Sequence, residues 1–340
     1  MKPIKILIIS DKKAGHLSVS HGVIQAIEQH RSVHAKTIEA KLRGSFWRPI
    51  LTHILNLGLS KNLFLANLMI KNAYIMDSYK NLDRPDLIIS TGGNSSFLNI
   101  LLAAFWGCPN LYCSTLRSLK PELFTRVLVL KPHQWPNEIL LEFSPNRTAN
   151  APKSPKTSSL LSNWALLIGG DSNEYSFDLG EYAQLTSSLL QRAKEHNKKL
   201  LITTSRRTEP KAEAIIKSIC DKHPDQIEKL VLFHQNPEKV VNQFLQTANT
   251  IFCTEDSGSM INEAILSRNK VYTIFPKKRR LSKSYAEFLN RHYSKGYIHQ
   301  IPIDNIQSIT FNEPFLPLAF DPHLETYKGL VDILPPMERE

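Results

Sequence analysis

The chain has 340 residues, 42% of them hydrophobic, which is long enough for two domains with substantial cores and excludes disorder as the default. Its net charge of +11 indicates an anionic partner: nucleic acid, nucleotide phosphates or an acidic membrane surface. The four cysteines form no C-x-x-C pair and no zinc-spaced cluster with histidine, so we expect buried thiols in a reducing compartment.

No apolar run approaches the ~20 residues of a membrane-spanning helix, and the apolar run at residues 6–9 is too short for a signal peptide. We therefore expect a cytoplasmic protein.

In the first half of the chain, patterns typical of buried strands alternate with helical ones. Strands are predicted at residues 4–10, 87–90, 109–113 and 126–130. A helix after the first strand would place Val19, Val23, Ala26 and Ile27 on one face, and another helix runs to about residue 105. Strands that alternate with helices favour a parallel sheet.

Residues 144–162 are rich in Ser, Pro, Asn, Lys and Thr and are predicted to be a linker. After it the alternation resumes, with predicted strands at 164–168, 199–203, 231–233, 250–253 and 271–275. Helices are predicted at 180–196, 211–222, 240–247 and 260–267. We expect an α/β protein with two Rossmann-like parallel-sheet domains facing a cleft, at 1–145 and 160–310, and we expect residues 311–340 to pack back on the first domain.

The strongest local motif follows the strand predicted at 250–253. It comprises Glu255, Asp256, Ser257, Gly258, Ser259 and Met260, and it opens a helix whose free N–H groups suit an anion. Glu263 lies one turn further on and is placed to accept hydrogen bonds from ribose hydroxyls. An ordinary capped helix with a solvated glutamate explains the same residues equally well.

Three further loops follow strands in the second half. Ser205, Arg206 and Arg207 combine a hydroxyl with guanidinium groups and suit a diphosphate, although taken alone they are better explained by a basic surface loop. The turn formed by Gly169, Gly170, Asp171 and Ser172 suits a phosphate, and a plain turn explains it equally well. Phe233 and His234 end a neighbouring strand, where a nucleobase is expected.

Two loops in the first half complete the candidate site. The first contains Asp11, Lys12, Gly15 and His16, in which His16 is the candidate general base and Asp11 is either its rival or the residue that orients it. The second is a turn before a helix that suits close backbone approach, formed by Gly92, Gly93, Asn94 and Ser95. A structural histidine and a tight turn are the competing interpretations.

Residues 43–76 are apolar and bordered by Lys and Arg, which is typical of helices in a membrane interface or of helices packed on the first sheet. We favour packing for most of them. The sequence contains no Asp-x-Asp, so no metal site is predicted, and no G-x-G-x-x-G, which argues against NAD.

Over residues 3–310, four motifs in order resemble the ELM-like mitochondrial fission family. They are Ser10-Asp11-Lys12-Lys13-Ala14-Gly15-His16, Thr91-Gly92-Gly93-Asn94-Ser95, Thr203-Thr204-Ser205-Arg206-Arg207 and the stretch 254–264; Lys283, Phe288, Leu289 and Gly296 also match. The layout is similar to GT-B glycosyltransferases, including the peptidoglycan enzyme that adds N-acetylglucosamine to lipid-linked muramyl-pentapeptide. Gly15-His16, Ser257, Gly258 and Glu263 match that enzyme, whereas Asp11, Lys12 and Lys13 replace its small residues.

These resemblances imply a donor site in the second domain and an acceptor site in the first. We therefore expect a metal-independent glycosyltransferase that uses a nucleotide-diphosphate sugar and no cofactor. Its expected acceptor is a lipid-linked or envelope glycan, with a peripheral position on the inner membrane and no nucleic-acid partner. The alternatives are a membrane-associated adaptor, since plant relatives recruit a fission GTPase, and a sugar-nucleotide 2-epimerase.

Overall fold

The computed structural model describes residues 2–76, 79, 81–146, 163–316, 318 and 320–336. The chain divides into two compact units, one formed by Met1–Arg147 with Phe320–Glu340 and the other by Thr148–Ala319. Residues 147–162 of the predicted linker lie outside the described residues.

In its described part, the first unit forms a seven-stranded sheet with the order β3-β2-β1-β4-β5-β6-β7, parallel except for the β2–β3 pair. Its strands are β1 (Ile4–Ser10), β2 (Val33–Leu42), β3 (Tyr74–Met76), β4 (Leu87–Ser90), β5 (Asn110–Tyr112), β6 (Arg126–Val129) and β7 (Glu138–Leu140). The helices before the second unit are α1 (Ala14–Glu28), α2 (Trp47–Asn56), α3 (Leu63–Ala73) and α4 (Ser95–Trp106).

The central strands of this sheet are apolar because helices cover both of their faces. In β1, Leu7 and Ile9 pack with α2, α3 and α4, whereas Ile6 and Ile8 pack with α1 on the opposite face. Residues 43–76 supply much of the first of these cores, through Leu51, Leu55, Ala66, Met69 and Ile70. The interpretation of these helices as packed on the first sheet is therefore confirmed for that face.

The described part of the second unit forms a six-stranded parallel sheet with the order β11-β10-β8-β12-β13-β15, and a short antiparallel pair, β9–β14. Its strands are β8 (Asn163–Leu167), β9 (Tyr175–Ser176), β10 (Lys199–Thr203), β11 (Ile227–Val231), β12 (Ala248–Thr254), β13 (Lys270–Phe275), β14 (Lys278–Arg279) and β15 (His299–Pro302). Its helices are α5 (Leu179–Glu195), α6 (Pro210–Cys220), α7 (Val241–Thr247), α8 (Gly258–Leu266) and α9 (Lys283–Ser294).

The segment after β15 is shared between the units. Phe311 and Phe315 pack on the core of the second unit. The last helix, α10 (Pro322–Lys328), belongs to the first unit, where Tyr327 stacks on His30 of the α1 C-terminal turn with ring centroids 4.1 Å apart. Residues 337–340 lie outside the described part of the chain.

The predicted α/β class with two Rossmann-like parallel sheets is confirmed, and the strands predicted at 4–10, 87–90 and 199–203 match β1, β4 and β10. The strand predicted at 231–233 is wrong, because β11 covers Ile227–Val231. This edge strand pairs with β10 through its backbone while leaving Glu228 exposed. A prediction from hydrophobicity alone therefore places the strand too far towards the C-terminus. β2 was not predicted either, because most of its residues are exposed and it lacks an apolar run.

The packing of α1 generates a stability prediction. A Cβ added at Gly22 would lie 1.6 Å from the main-chain oxygen of Pro145, whereas a Cβ at Gly15 of the same helix meets nothing within 4 Å. We expect Gly22→Ala to lower the free energy of unfolding by about 1–3 kcal/mol, because the segment at Pro145 must shift. Gly15→Ala, the matched control, should be neutral or stabilise by up to ~1 kcal/mol. Equal urea midpoints for the two variants would contradict this account.

Candidate functional site

In the second unit, the loops after β8, β10 and β12 lie together at the carboxyl edge of the sheet. The Gly169 N–H donates to Thr254 Oγ1 at 2.7 Å, and the Gly170 N–H donates to Asp256 Oδ2 at 3.1 Å. The Ser205 hydroxyl donates to the Gly169 oxygen at 2.8 Å. Three of the predicted donor loops are therefore joined by direct hydrogen bonds.

Arg207 and Asp256 form an ion pair at the centre of these loops. Burial raises the pKa of the Asp256 carboxyl, and the Arg207 guanidinium opposes that rise. The second oxygen, Asp256 Oδ1, has no hydrogen-bond partner among the described residues. Arg206, by contrast, is exposed and forms no ion pair within the described chain. Arg207 therefore anchors the loop, and Arg206 is the cation that remains accessible.

The side chain of Glu255 is directed into the unit. It is fully buried and accepts hydrogen bonds from Tyr175 Oη at 3.1 Å, Thr273 Oγ1 at 2.8 Å and Gln300 Nε2 at 2.7 Å. Arg279 Nη1 lies 3.2 Å from its second oxygen. The carboxylate is thus engaged by the protein, and it holds the loop that precedes α8.

The start of α8 is open. Its N-cap residue, Ser257, makes no side-chain capping hydrogen bond, and no acidic residue lies in the first turn. The hydroxyls of Ser257 and Ser259 are 3.3 Å apart and exposed. In α5, by comparison, Asp178 and Glu181 form a complete capping box. The free N–H groups at the start of α8 are therefore available to an anion.

Glu263 lies one turn further along α8. Its side chain is half-buried, and within the described residues it has neither a hydrogen bond nor an ion pair. Burial raises the pKa of its carboxyl to about 7. A partly desolvated carboxyl without a partner is available to hydrogen-bond a ligand.

The loop after β11 presents two aromatic rings. Phe233 is 39% exposed, and its ring lies edge-on to His234, with centroids 5.2 Å apart. The Phe233 N–H donates to Thr204 Oγ1 at 2.8 Å, and the His234 N–H donates to the Glu213 carboxylate at 3.1 Å. Buried Glu213 was missed because a lone glutamate in a helical pattern predicts a solvated face.

In the first unit, the two candidate bases form one pair. His16 Nδ1 lies 3.0 Å from both Asp11 carboxylate oxygens, in the loop after β1 and the first turn of α1. With Nδ1 donating to Asp11, the other ring nitrogen, Nε2, is left as an acceptor. The ring packs on Gly92, where a Cβ would lie 2.3 Å from Nδ1. Gly92 also has φ +100°, which a side chain rarely tolerates.

The remaining first-unit candidates have varied surroundings. Lys12 Nζ pairs with Glu39 at 2.6 Å. Asn94 Oδ1 accepts from Arg48 Nε at 3.0 Å. The Ser95 hydroxyl donates to the Gly92 oxygen at 2.7 Å and is used within the turn. Among the described side chains, no three His, Cys, Asp or Glu residues are grouped to hold a metal ion.

The architecture and these strand-end loops place the chain in the GT-B class of folds. Three solved structures share it at low identity. A Neisseria meningitidis UDP-GlcNAc 2-epimerase bound to UDP-GlcNAc has 12% identity and TM-score 0.54, covering 98% of this chain and 99% of that chain. The glycotransferase of kitacinnamycin has 12% identity and TM-score 0.51, covering 98% and 94%. Arabidopsis thaliana UGT89C1 complexed with UDP-L-rhamnose has 11% identity and TM-score 0.51, covering 96% and 93%.

The family model described as mitochondrial fission ELM1 matches residues 14–315, so the chain belongs to that family. No curated protein matches the sequence. No helix within the described ranges is long and apolar enough to cross a membrane.

The raised pKa of Glu263 predicts a pH-dependent stability. The pKa of this carboxyl is about 7 in the folded chain and near 4.5 in the unfolded chain, so its contribution to the free energy of unfolding is present below pH 4.5 and is lost as the pH rises through 7. The Glu263→Gln variant stays neutral at every pH. Relative to the wild type, its free energy of unfolding should therefore rise by roughly 1–3 kcal/mol from about pH 5 to pH 8. Urea unfolding at both pH values measures this.

The matched control for that measurement is Glu228→Gln in the same unit, whose carboxylate lies on the exposed edge strand. Its free energy of unfolding should stay within about 0.5 kcal/mol of the wild type at both pH values, because the substitution is on the surface. If Glu263→Gln behaves like this control, the carboxyl of Glu263 is solvated.

Proposed function

We propose that the chain is a metal-independent glycosyltransferase that uses a nucleotide-diphosphate sugar. The observation that carries the proposal is the open start of α8, with the unpartnered Glu263 one turn beyond it, at the edge where three strand-end loops meet. The solved structures with UDP-GlcNAc and UDP-L-rhamnose support this class of donor through their shared fold.

In this proposal the second unit binds the donor. The N–H groups at the start of α8, the hydroxyls of Ser257 and Ser259, and the exposed Arg206 hold the diphosphate. Glu263 accepts hydrogen bonds from the ribose hydroxyls, and the nucleobase stacks on the exposed ring of Phe233. Asp256 and Glu255 act indirectly, since their side chains hold the loops in place.

The proposed chemistry begins in the first unit. His16 Nε2 takes the proton from the acceptor hydroxyl as that oxygen attacks the anomeric carbon of the donor. Asp11 fixes the ring orientation through Nδ1 and stabilises the imidazolium that forms. The bond from the sugar to the diphosphate breaks, and the cation and helix-terminal groups of the donor site stabilise the leaving nucleotide.

A surface of the first unit supports a peripheral membrane position and a lipid-linked or envelope acceptor. Residues 41–76 contain no Asp or Glu, and they carry Lys41, Arg43, Arg48, Lys61 and Lys71. Eight large apolar side chains of this stretch are exposed, namely Phe46, Ile50, Leu57, Leu59, Leu63, Phe64, Leu68 and Ile75. We call this the apolar basic surface; its composition suits the interface of an anionic bilayer.

The catalytic assignment predicts a loss of turnover without a loss of donor binding. Nucleoside diphosphates at a hundredfold excess over Kd should stabilise the wild type by ~2.7 kcal/mol. His16→Ala should lower the single-turnover release of nucleotide from sugar nucleotides by about 10²–10⁴-fold, because the base is gone. Asp11→Asn should lose less, and both variants should keep the wild-type affinity for the nucleotide.

His34→Ala is the control, since His34 is an exposed histidine of the same unit. Full activity in both His16→Ala and Asp11→Asn would remove the catalytic assignment. Formation of an epimer from UDP-GlcNAc would favour the 2-epimerase, and nucleotide binding without any reaction would favour the adaptor.

The apolar basic surface predicts salt-sensitive binding to vesicles. The wild type should float with anionic vesicles at low salt and less at high salt, since each basic residue near the bilayer contributes about 1 kcal/mol. Leu63→Ser should weaken flotation several-fold, because an inserted leucine is lost. Leu140→Ser is a matched control in the same unit, as Leu63 is 50% and Leu140 is 52% exposed. Equal loss in both variants would argue against insertion of this surface.

A further inference from the structure

The first unit contains a cavity lined by basic residues, and no step of the proposed chemistry uses it. It has a volume of about 540 Å³ and lies between α2 and the loop at residues 116–120. A volume of this size falls in the range of small-molecule sites, roughly 300–1,000 Å³. All of its lining residues belong to the first unit.

The charge of the cavity is strongly one-sided. Arg48, His53, Arg117 and Lys120 line it, and no Asp or Glu does so. None of the three permanent cations forms an ion pair within the described chain. Three unpaired cations around one concave surface repel each other, and that repulsion is relieved when a multiply charged anion binds.

The walls of the cavity are fixed before any ligand arrives. Asn56, at the end of α2, donates through Nδ2 to the Ser118 oxygen at 2.8 Å and accepts from the Lys120 N–H at 3.0 Å. Arg48 uses its Nε on Asn94, which leaves its two terminal NH₂ groups available. The Arg117 guanidinium packs against Gly93, where a Cβ would lie 2.9 Å from Arg117 Cζ. Any side chain at residue 93 would therefore displace a cation of the cavity.

We propose that this cavity binds the phosphate or diphosphate group of a ligand. A guanidinium group can bind two phosphate oxygens at once. A phosphate monoester or a diphosphate carries two or more negative charges, which the three cations of the cavity can neutralise. The identification of this ligand as the acceptor rests on the proposed function, whereas the anion site does not.

Two sources supply this chemistry, a lipid head group and a soluble phosphate ester. The cavity wall includes Leu57, which is 62% exposed and belongs to the apolar basic surface. A lipid that enters from that surface would bring its phosphate group directly to Arg48 and Arg117.

The first experiment measures binding of inorganic pyrophosphate to the full chain by calorimetry. Arg48→Gln and Arg117→Gln should each weaken it by roughly 10- to 100-fold, because each removes charge-assisted hydrogen bonds. Arg43→Gln is the matched control in the same unit, and Arg206→Gln controls for binding at the donor loops. The proposal is overturned if wild type shows no binding at millimolar pyrophosphate, or if only Arg206→Gln lowers the affinity.

The second experiment identifies the source. Flotation is measured with phosphatidylcholine vesicles whose bilayer contains either phosphatidic acid, which is a phosphate monoester, or phosphatidylglycerol, at equal surface charge. A preference for phosphatidic acid that Arg117→Gln abolishes assigns the cavity to a lipid phosphate. Equal flotation on the two lipids, with Arg117-dependent pyrophosphate binding, assigns it to a soluble phosphate ester.

The nucleotide-binding measurements and the pyrophosphate measurements test the transferase and the anion site separately. If nucleoside diphosphates do not stabilise the wild type but pyrophosphate binding still requires Arg117, the proposed transferase is lost and the anion site remains. If nucleotides bind and Arg117→Gln binds pyrophosphate as the wild type does, the anion site is lost and the transferase remains.

Discussion

The burial of both faces of the central strands in each sheet is the constraint on which the candidate sites depend. In β8, Trp164, Leu166 and Leu167 are at most 4% exposed, and β1 is similarly apolar. A strand enclosed in this way can carry reactive polar groups only where it ends, because an unpaired polar group inside would lose its hydration. The Asp11–His16 pair and the loops after β8, β10 and β12 therefore all follow the carboxyl ends of strands.

The loops at those strand ends are held in position by buried polar side chains. Asp256 holds Gly170 and Arg207, and Glu213 holds the main chain at His234. Each is a carboxylate enclosed by protein, whose removal would leave donors unpaired and free the loop. Some residues predicted to bind a ligand therefore hold the loops in place, and Arg206, Ser259 and Glu263 are the ones that the proposed function uses to bind the donor.

The first unit combines three features that suit a phosphorylated, membrane-borne acceptor. It carries the Asp11–His16 pair, the apolar basic surface and a cavity lined by unpaired cations. The excess positive charge of the chain is therefore partly concentrated at sites of defined geometry. In the second unit, by contrast, Arg207 and Arg279 form ion pairs with buried carboxylates of the protein.

The sequence by itself determined the alternation of strands and helices, because period and turn residues are local properties. It placed β1, β4 and β10 correctly and located the loops that meet at the sheet edge. It also identified 43–76 as apolar with basic borders, but not which residues face outward.

Only the tertiary structure decided how the side chains in those loops are used. The sequence left open whether Asp11 is a rival base or orients His16, whereas their folded geometry makes them one hydrogen-bonded pair. It grouped Glu255 with the ligand-binding residues, but four contacts from distant strands and loops enclose it. The cavity cations were invisible, because Arg48 and Arg117 are far apart in the chain. The direction of a side chain and its partners depend on packing between segments remote in sequence, and no local pattern contains that information.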